Sequence, residues 1–314
     1  MKRLLLFLMI LCMAVGMVAC SSEETIPEQP KEVVHEGPAL YCATSENGGT
    51  VYLIGSVHVG SEDMYPLPDY ITNAFEASDA LAVEFDVRDE MENQAVMTKL
   101  LPKMLYADGT TIKDHISQEL YEDAKAILQE NHSYLSFLDQ YIPSLWSNFI
   151  DTFMIEKSGY EAENGVDMYF LNLADELKKP IRDIESMESQ LTMLIDFSPA
   201  LQAELLEGSV ESYRGEEELK QQLSEMLEVW KNGEEEQLIA MLNEEEEVTA
   251  EEQQLLDEYN KIMLTDRNVL MADYAEAALK DGEKLFICVG SAHVYGEDGM
   301  VDLLRERGYT VKRV

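Results

Sequence analysis

The pattern of apolar positions opens the chain with strands and one helix. Apolar residues fill 39–44 and 50–54, and Asn47-Gly48-Gly49 between them favours the positive φ angles of a tight turn. These features predict a β-hairpin. Apolar positions at helical spacing in 69–78 and a further apolar run at 80–86 predict a helix followed by a strand. The region after the hairpin's second strand is therefore expected to form a strand–helix–strand unit.

The middle of the chain, residues 89–260, has mostly helical spacing. A helix is predicted at 165–177, where Lys178-Lys179 would suit its C-terminus, and a short strand at 180–185. The stretch 204–258 is strongly acidic, which is typical of solvated helix faces. Its Met and Leu residues are expected to form core rather than to contact a cofactor.

The end of the chain returns to alternating elements. A helix is predicted at 266–281, a strand at 285–289, a helix at 298–307 and a closing strand at 309–314. This alternation predicts an α/β fold, with a central mixed sheet flanked by helices and the 89–260 region as a large helical insertion. Ligands of such folds bind beyond the carboxyl ends of the strands.

Composition narrows the class of protein. The chain has 314 residues, of which 46% are hydrophobic, enough for one large domain or two small ones. Its net charge is −39, from 62 acidic and 23 basic residues. Because nucleic-acid binding needs Lys and Arg to neutralise phosphates, nucleic acid is excluded as a partner.

Residues 1–20 have the features of a lipoprotein signal peptide and are set apart from the fold. Lys2 and Arg3 precede an apolar run at 4–18, and a small residue stands before Cys20, as in a bacterial lipobox. The alternative is an uncleaved membrane anchor, although the run is short for a bilayer span.

The segment 1–20 also predicts where the protein is located. We expect an extracytoplasmic protein, lipid-anchored through Cys20 to a bacterial membrane by an acyl chain such as palmitate. Residues 21–38, with three prolines, would form a flexible tether, and 39–314 the folded domain. Cys42 and Cys288 could pair in that compartment, but two buried free thiols are the favoured interpretation.

One short motif occurs twice. Gly55-Ser56-Val57-His58-Val59 and Gly290-Ser291-Ala292-His293-Val294 both follow apolar runs, and an acidic pair lies four residues after each histidine. Each histidine is thus expected at the carboxyl end of a strand, on the same edge of the sheet. The remaining histidines lack this context and are predicted to be surface residues: His35, His115 and His132.

If these strands are neighbours, His58 and His293 converge, and Glu84 at the end of the 80–86 strand joins them. Two imidazoles and a carboxylate form a recognised catalytic ligand set for zinc, and a plausible one for manganese or cobalt. Such an ion lowers the pKa of bound water to about 7. The three residues are therefore candidate metal ligands.

Five further residues complete the candidate site. Gly55 and Gly290 would allow a sharp turn or a close backbone approach before each histidine. Asp86 or Glu185 could act as a general base, and Arg267 could stabilise developing negative charge.

These motifs resemble the TraB/GumN superfamily, which includes the TIKI proteins and pheromone-shutdown proteins. The signature is a pair of Gly-x-x-His motifs near opposite ends of one domain, here from Gly55 and Gly290. Further matches span residues 39 to 314 and comprise Tyr65-Pro66-Leu67-Pro68, Val83-Glu84-Phe85-Asp86, Gly165-Val166-Asp167, Lys179-Pro180-Ile181, Ile184-Glu185 and Arg267-Asn268.

The resemblance implies a fold like that of the erythromycin-esterase and ChaN-like group. It also implies a metal-dependent hydrolase site centred on His58, Glu84 and His293, with Arg267 and Glu185 in support. TIKI members are described as metalloproteases that act on secreted signalling peptides, so a peptide or protein is the expected substrate. The very acidic insertion departs from the family pattern, and the substrate of a particular relative is not carried over.

Two other functions fit the same residues. The main alternative is a non-catalytic extracytoplasmic protein that sequesters a peptide signal, which would need no metal. The second is an esterase that uses His58 or His293 as a metal-free general base. A serine nucleophile is disfavoured because the sequence has no G-x-S-x-G elbow.

Overall fold

A computed structural model describes residues 36–242 and 248–314. Its centre is a six-stranded mixed sheet with the order β4-β3-β5-β2-β1-β6. The strands are β1 (Leu40–Thr44), β2 (Thr50–Ser56), β3 (Ala80–Val83), β4 (Ile181–Asp183), β5 (Lys284–Gly290) and β6 (Thr310–Arg313).

Helices flank this sheet, and most of them lie between β3 and β5 in sequence. The α-helices are α1 (Asp69–Ala77), α2 (Glu90–Leu100), α3 (Gln118–Glu130), α4 (Pro143–Ser158), α5 (Val166–Leu177), α6 (Met187–Asp196), α7 (Pro199–Arg214), α8 (Glu216–Asn232), α9 (Glu235–Leu242), α10 (Ala250–Asn260), α11 (Asp266–Asp281), α12 (Ser291–Val294) and α13 (Met300–Glu306). A π-helix, Lys261–Thr265, joins α10 to α11, and short 3-10 turns cover Glu62–Met64, Leu101–Lys103, Ile112–Asp114, Ser136–Gln140 and Ala162–Asn164. The predicted α/β class with a helical insertion is confirmed.

The strand order brings the two ends of the chain together. The predicted hairpin is confirmed, because β1 pairs antiparallel with β2. On its other side β2 pairs in parallel with β5, with Gly55 opposite Val289 and Ser56 opposite Gly290. Both histidine motifs therefore leave the same edge of the sheet from neighbouring strands.

The strand–helix–strand units are interleaved rather than placed side by side. Strand β5 inserts between β2 and β3 and pairs in parallel with both. The closing strand β6 pairs antiparallel with β1 at the far edge. This order places β2, β5 and β3 consecutively, so the three strands that precede His58, His293 and Glu84 are neighbours.

The expected strand at 80–86 ends early, at Val83. The backbone N–H of Asp86 donates to the side chain of Asp183 at 2.9 Å, and the Asp86 carboxylate pairs with Arg88 at 2.6 Å. Glu84 and Asp86 therefore both lie beyond the end of β3, and the Asp86 carboxylate is already paired with a cation.

The acidic insertion contributes buried side chains, as predicted. Leu206, Leu223 and Met226 are almost fully buried, and Trp230 is 2% exposed. A separate small apolar cluster of Val96, Leu100 and Met104 lies between α2 and α6. The described part of the insertion thus packs its apolar faces against the core, while most of the glutamates described in 204–258 are partly or fully exposed.

The remaining predictions concern the cysteines, the surface histidines and the N-terminal segment. Cys42 and Cys288 are both free thiols, and His115 and His132 are exposed. The signal peptide at 1–20, Cys20, His35 and most of the tether lie outside the described residues. Within residues 36–242 and 248–314, no helix has the length and apolarity that a bilayer crossing requires.

Candidate functional site

The two glycines of the repeated motif lie in different surroundings. A Cβ on Gly55 would lie 2.5 Å from Tyr295 Cε2 and 2.7 Å from Ser291 Cα, so this glycine permits close packing of α12 on β2. A Cβ on Gly290 would meet Glu84 Oε1 and His58 Nε2 at 3.3 Å each. Gly290 thus leaves open a space that is lined by candidate ligands.

His58 follows β2 and is held by the start of helix α5. Its Nδ1 lies 3.3 Å from Asp167 Oδ1, and its Nε2 lies 3.8 Å from Glu84 Oε1. The side chain is 37% exposed. Burial lowers the pKa of His58, but the negative charges of Asp167 and Glu84 outweigh it and raise the pKa to about 9.

His293 lies in α12 and is fully buried. Its Nδ1 is 2.6 Å from Asn268 Oδ1, while the Asn268 amide nitrogen donates to the Asp298 carbonyl at 3.0 Å. The Asn268 oxygen therefore accepts the proton on His293 Nδ1. Burial, followed by the charge of Arg267, lowers the pKa of His293 to about 3.

Glu84 accepts hydrogen bonds on both of its carboxylate oxygens. Its Oε1 accepts the Gly290 backbone N–H at 2.9 Å, and its Oε2 accepts from Arg267 Nη2 at 2.5 Å and Gln190 Nε2 at 2.8 Å. Burial would raise the pKa of Glu84, but Arg267, His293 and His58 hold it well below its usual range. Glu84 is therefore ionised at neutral pH.

Arg267 and Glu185 form a buried support for Glu84. Arg267 is 4% exposed, and its Nε and Nη2 donate to the two oxygens of Glu185 at 2.8 and 2.7 Å. Its Nη1 also donates to the Met263 carbonyl, within the π-helix, at 3.2 Å. π-Helical turns are frequent at functional sites, and this one presents a main-chain oxygen to the guanidinium.

Six of the residues predicted for the site thus lie together: His58, Glu84, Glu185, Arg267, Gly290 and His293. Gly55 packs against α12 instead, and the alternative base Asp86 pairs with Arg88. His58, His293 and Glu84 approach Gly290. Arg267 contacts Glu84 directly, and Glu185 contacts Arg267. The roles given to these residues stay predictions, and Glu185 as it stands accepts hydrogen bonds from Arg267 rather than facing an open position.

Two imidazoles and a carboxylate are the donor types that divalent metal ions bind. As the side chains stand, no three His, Cys, Asp or Glu residues in the described part of the chain are arranged to hold one. His293 Nε2, however, is buried with no hydrogen-bond partner among the described residues. A buried polar atom of this kind costs stability unless a ligand satisfies it. With the space beside Gly290, the two imidazoles and Glu84 therefore fit a divalent cation.

Sequence reasoning missed four contacts of the site. Asp167 and Asn268 lie beside Nδ1 of the two imidazoles, and Gln190 bridges Glu84 and Glu185. Trp230, from the acidic insertion, donates its indole N–H to the Gly55 carbonyl at 2.8 Å. Asp167 and Asn268 do stand inside the Gly165-Val166-Asp167 and Arg267-Asn268 matches, which is the signal that could have found them.

Comparison with known proteins agrees with the motifs. Residues 39–313 match the sequence profile of the TraB/PrgY/gumN family. The chain is 28% identical over 256 residues to an Escherichia coli K12 protein described as "Uncharacterized protein YbaP", which covers 81% of this chain and 87% of that protein. A Shigella flexneri protein with the same description matches to the same extent. No solved structure matches with comparable significance. Because the profile spans the whole folded domain, this chain belongs to the TraB/PrgY/gumN family.

Proposed function

We propose that this protein is a divalent-metal-dependent hydrolase that cleaves peptides or proteins. The observation that carries the proposal is the arrangement of two imidazoles beside one carboxylate. His58 and His293 each direct Nδ1 to a side-chain acceptor, and His58 directs Nε2 toward Glu84. Metal-ligating histidines usually have such an acceptor on the nitrogen that does not bind the ion. The relatives named above supply no substrate, so the peptide class rests on the TIKI resemblance.

In this proposal His58, His293 and Glu84 hold the ion, for which zinc, manganese and cobalt are candidates. When bound, such an ion supplies a water whose pKa falls to about 7. Arg267 keeps Glu84 ionised and in place, and Glu185 in turn fixes Arg267. The backbone N–H of Gly290 fixes the second oxygen of Glu84.

The direct test combines metal analysis with a peptide library. We expect the purified chain to contain close to one equivalent of a divalent metal, and its cleavage of the library to stop after chelation and return on metal addition. Glu84→Gln should abolish cleavage, since it removes the negative ligand. His132→Asn is the matched control, because His132 is exposed and asparagine tolerates its φ of 56°.

Two results would contradict the proposal. One is a chain without bound metal and without chelator-sensitive cleavage, which would favour the non-catalytic binding protein. The other is cleavage that persists in the metal-free chain and disappears in His293→Ala, which would favour a histidine general base.

We also propose that the protein works outside the cytoplasm, attached to the membrane by lipid at Cys20. Support comes from the signal-like segment at 1–20. Labelling with an alkyne analogue of palmitate should mark the wild type and leave Cys20→Ser unlabelled and released from the membrane fraction. Equal labelling of the two proteins would contradict this location.

A further inference from the structure

We infer that Asp167 is a positioning residue for His58 and decides which imidazole nitrogen faces Glu84. The inference deepens the proposed function and rests on it for the metal-affinity part of the test below.

Ser56, the last residue of β2, and Val57, which follows it, hold the backbone around Asp167 in place. Ser56 Oγ donates to Asp167 Oδ1 at 2.9 Å and accepts the Asp167 backbone N–H at 3.2 Å. The backbone N–H of Val166 donates to the Val57 carbonyl at 3.0 Å. The carboxylate therefore has little freedom relative to the strand that carries His58.

Gly165 allows this close contact between helix and strand. A Cβ at Gly165 would lie 2.9 Å from the His58 carbonyl oxygen, so a larger residue would push the start of α5 away from the histidine. Gly165 and Asp167 thus form one local unit with His58, although His58 lies in a distant part of the chain.

The chemistry of a carboxylate sets the orientation of the ring. An ionised carboxylate only accepts hydrogen bonds, so Asp167 selects, for the neutral imidazole of His58, the form with its proton on Nδ1. Nε2 is then the nitrogen left for a ligand, and it points toward Glu84. Within the described residues Asp167 has no Lys or Arg partner, which leaves His58 as its cationic neighbour.

The second motif also has an acceptor beside Nδ1 of its histidine, but this acceptor is an amide oxygen. The Asn268 oxygen faces Nδ1 of His293, and Asp298 fixes the amide through its carbonyl. Two unrelated helices thus place an acceptor on the same ring nitrogen of the two motif histidines. That agreement supports a positioning role for Asp167 over a purely structural one.

The test measures ring orientation without requiring a metal or a substrate. The metal-free chain, labelled with 15N in histidine, is studied by NMR at a pH where His58 is neutral. We expect the proton of wild-type His58 on Nδ1, and in Asp167→Ala a mixture with the form protonated on Nε2. Asp175→Asn is the control, because Asp175 lies on the same helix and is exposed.

Zinc affinity gives the second readout, by competition with a chromophoric chelator. Asp167→Ala should bind zinc about 10- to 100-fold more weakly than the wild type, as loss of such supporting acceptors does elsewhere. Asp167→Glu should recover part of the loss, and Asp175→Asn should equal the wild type.

The outcomes separate this inference from the proposed function. A wild-type chain that binds no zinc, but whose His58 carries its proton on Nδ1 through Asp167, contradicts the proposed function and supports the positioning role. A wild-type His58 protonated on Nε2 overturns the positioning role, whatever the variants do. An unchanged proton position in a folded Asp167→Ala chain overturns it as well.

Discussion

The two copies of Gly-Ser-x-His have the same sequence and opposite surroundings. His58 is 37% exposed and faces the carboxylate of Asp167, whereas His293 is fully buried and faces the amide of Asn268. The pKa of His58 is raised and the pKa of His293 is lowered. The repeat therefore sets where each imidazole lies, and the helices that pack on it set the imidazole's charge.

The two motif glycines also lie in different surroundings. Gly55 is closed in by backbone and by an aromatic ring, while Gly290 faces the candidate ligands. The first copy of the motif is thus tied to packing through its glycine and to solvent through its histidine. In the second copy the glycine faces the candidate ligands and the histidine is fully buried.

The largest expected effect is a difference in stability between two glycine variants. Gly55→Ala places a methyl against the Ser291 backbone and the Tyr295 ring, and overpacking of this kind costs about 1–3 kcal/mol or more. Gly290→Ala meets side-chain atoms at 3.3–3.5 Å and should change the free energy of unfolding far less. Urea denaturation of both variants measures the difference, and equal losses would refute the contrast. Gly290→Ala should nevertheless bind zinc weakly, because its methyl occupies the ligand space.

The second effect compares the two acceptors. Asn268→Ala leaves the buried Nδ1 of His293 without its acceptor, and an unsatisfied buried donor costs about 1–3 kcal/mol. Asp167→Ala should cost less, because His58 is partly exposed and water can replace the carboxylate. Urea denaturation of the metal-free chains compares them at pH 10, where His58 is neutral. A larger loss in Asp167→Ala would contradict this ranking.

The third effect is pH dependence in the metal-free chain. The folded-state pKa of His58 is about 9, above its ordinary value, so its stabilising contribution is present below pH 6.5 and disappears as the pH rises through 9. The folded-state pKa of His293 is about 3, so protons bind the unfolded state preferentially as the pH falls from 6.5 to 3, and stability is lost there.

Two variants test the loss of stability above pH 6.5 and the loss below it separately. His58→Gln should flatten the decline between pH 6.5 and 9, and His293→Gln should reduce the decline below pH 6.5. Thermal unfolding across pH 4–10 measures both. If His58→Gln instead reduced the decline in stability below pH 6.5, the directions given for the two histidine pKa values would be wrong.

The smallest effect concerns the serines of the motif. Ser291 Oγ donates to the Ser56 carbonyl at 3.0 Å, whereas Ser56 Oγ bonds Asp167. Ser291→Ala should cost about 1 kcal/mol, the net value of one hydrogen bond, and Ser56→Ala about twice that, because Ser56 Oγ makes two hydrogen bonds with Asp167. Only Ser56→Ala should also weaken zinc binding, since it alone loosens Asp167. Equal zinc affinities of the two variants would contradict the link through Asp167.

Local pattern was enough to predict most elements and the edge on which the motifs lie. The Asn47-Gly48-Gly49 turn fixed the hairpin, and the motifs' position after apolar runs placed His58 and His293 at strand ends. The chain order did not reveal that β5 inserts between β2 and β3, because strand order is set by long-range packing.

The supporting residues escaped prediction for the same reason. Asp167 lies 111 positions from its partner Ser56, and Trp230 lies 175 positions from Gly55. No periodicity links residues at such separations. The early end of β3 at Val83 depends on Asp183 accepting the Asp86 N–H, which is likewise a tertiary contact.

A crystal structure of the zinc-loaded chain, with anomalous data at the zinc edge, tests the proposed metal site most directly. We expect one zinc bound by Nε2 of His58 and of His293 and by an oxygen of Glu84, each at about 2.0–2.2 Å. Nδ1 of each ring should remain on Asp167 and Asn268. A zinc ion elsewhere, or Glu84 still paired only with Arg267, Gln190 and the Gly290 N–H while the imidazoles bind no metal, would contradict it.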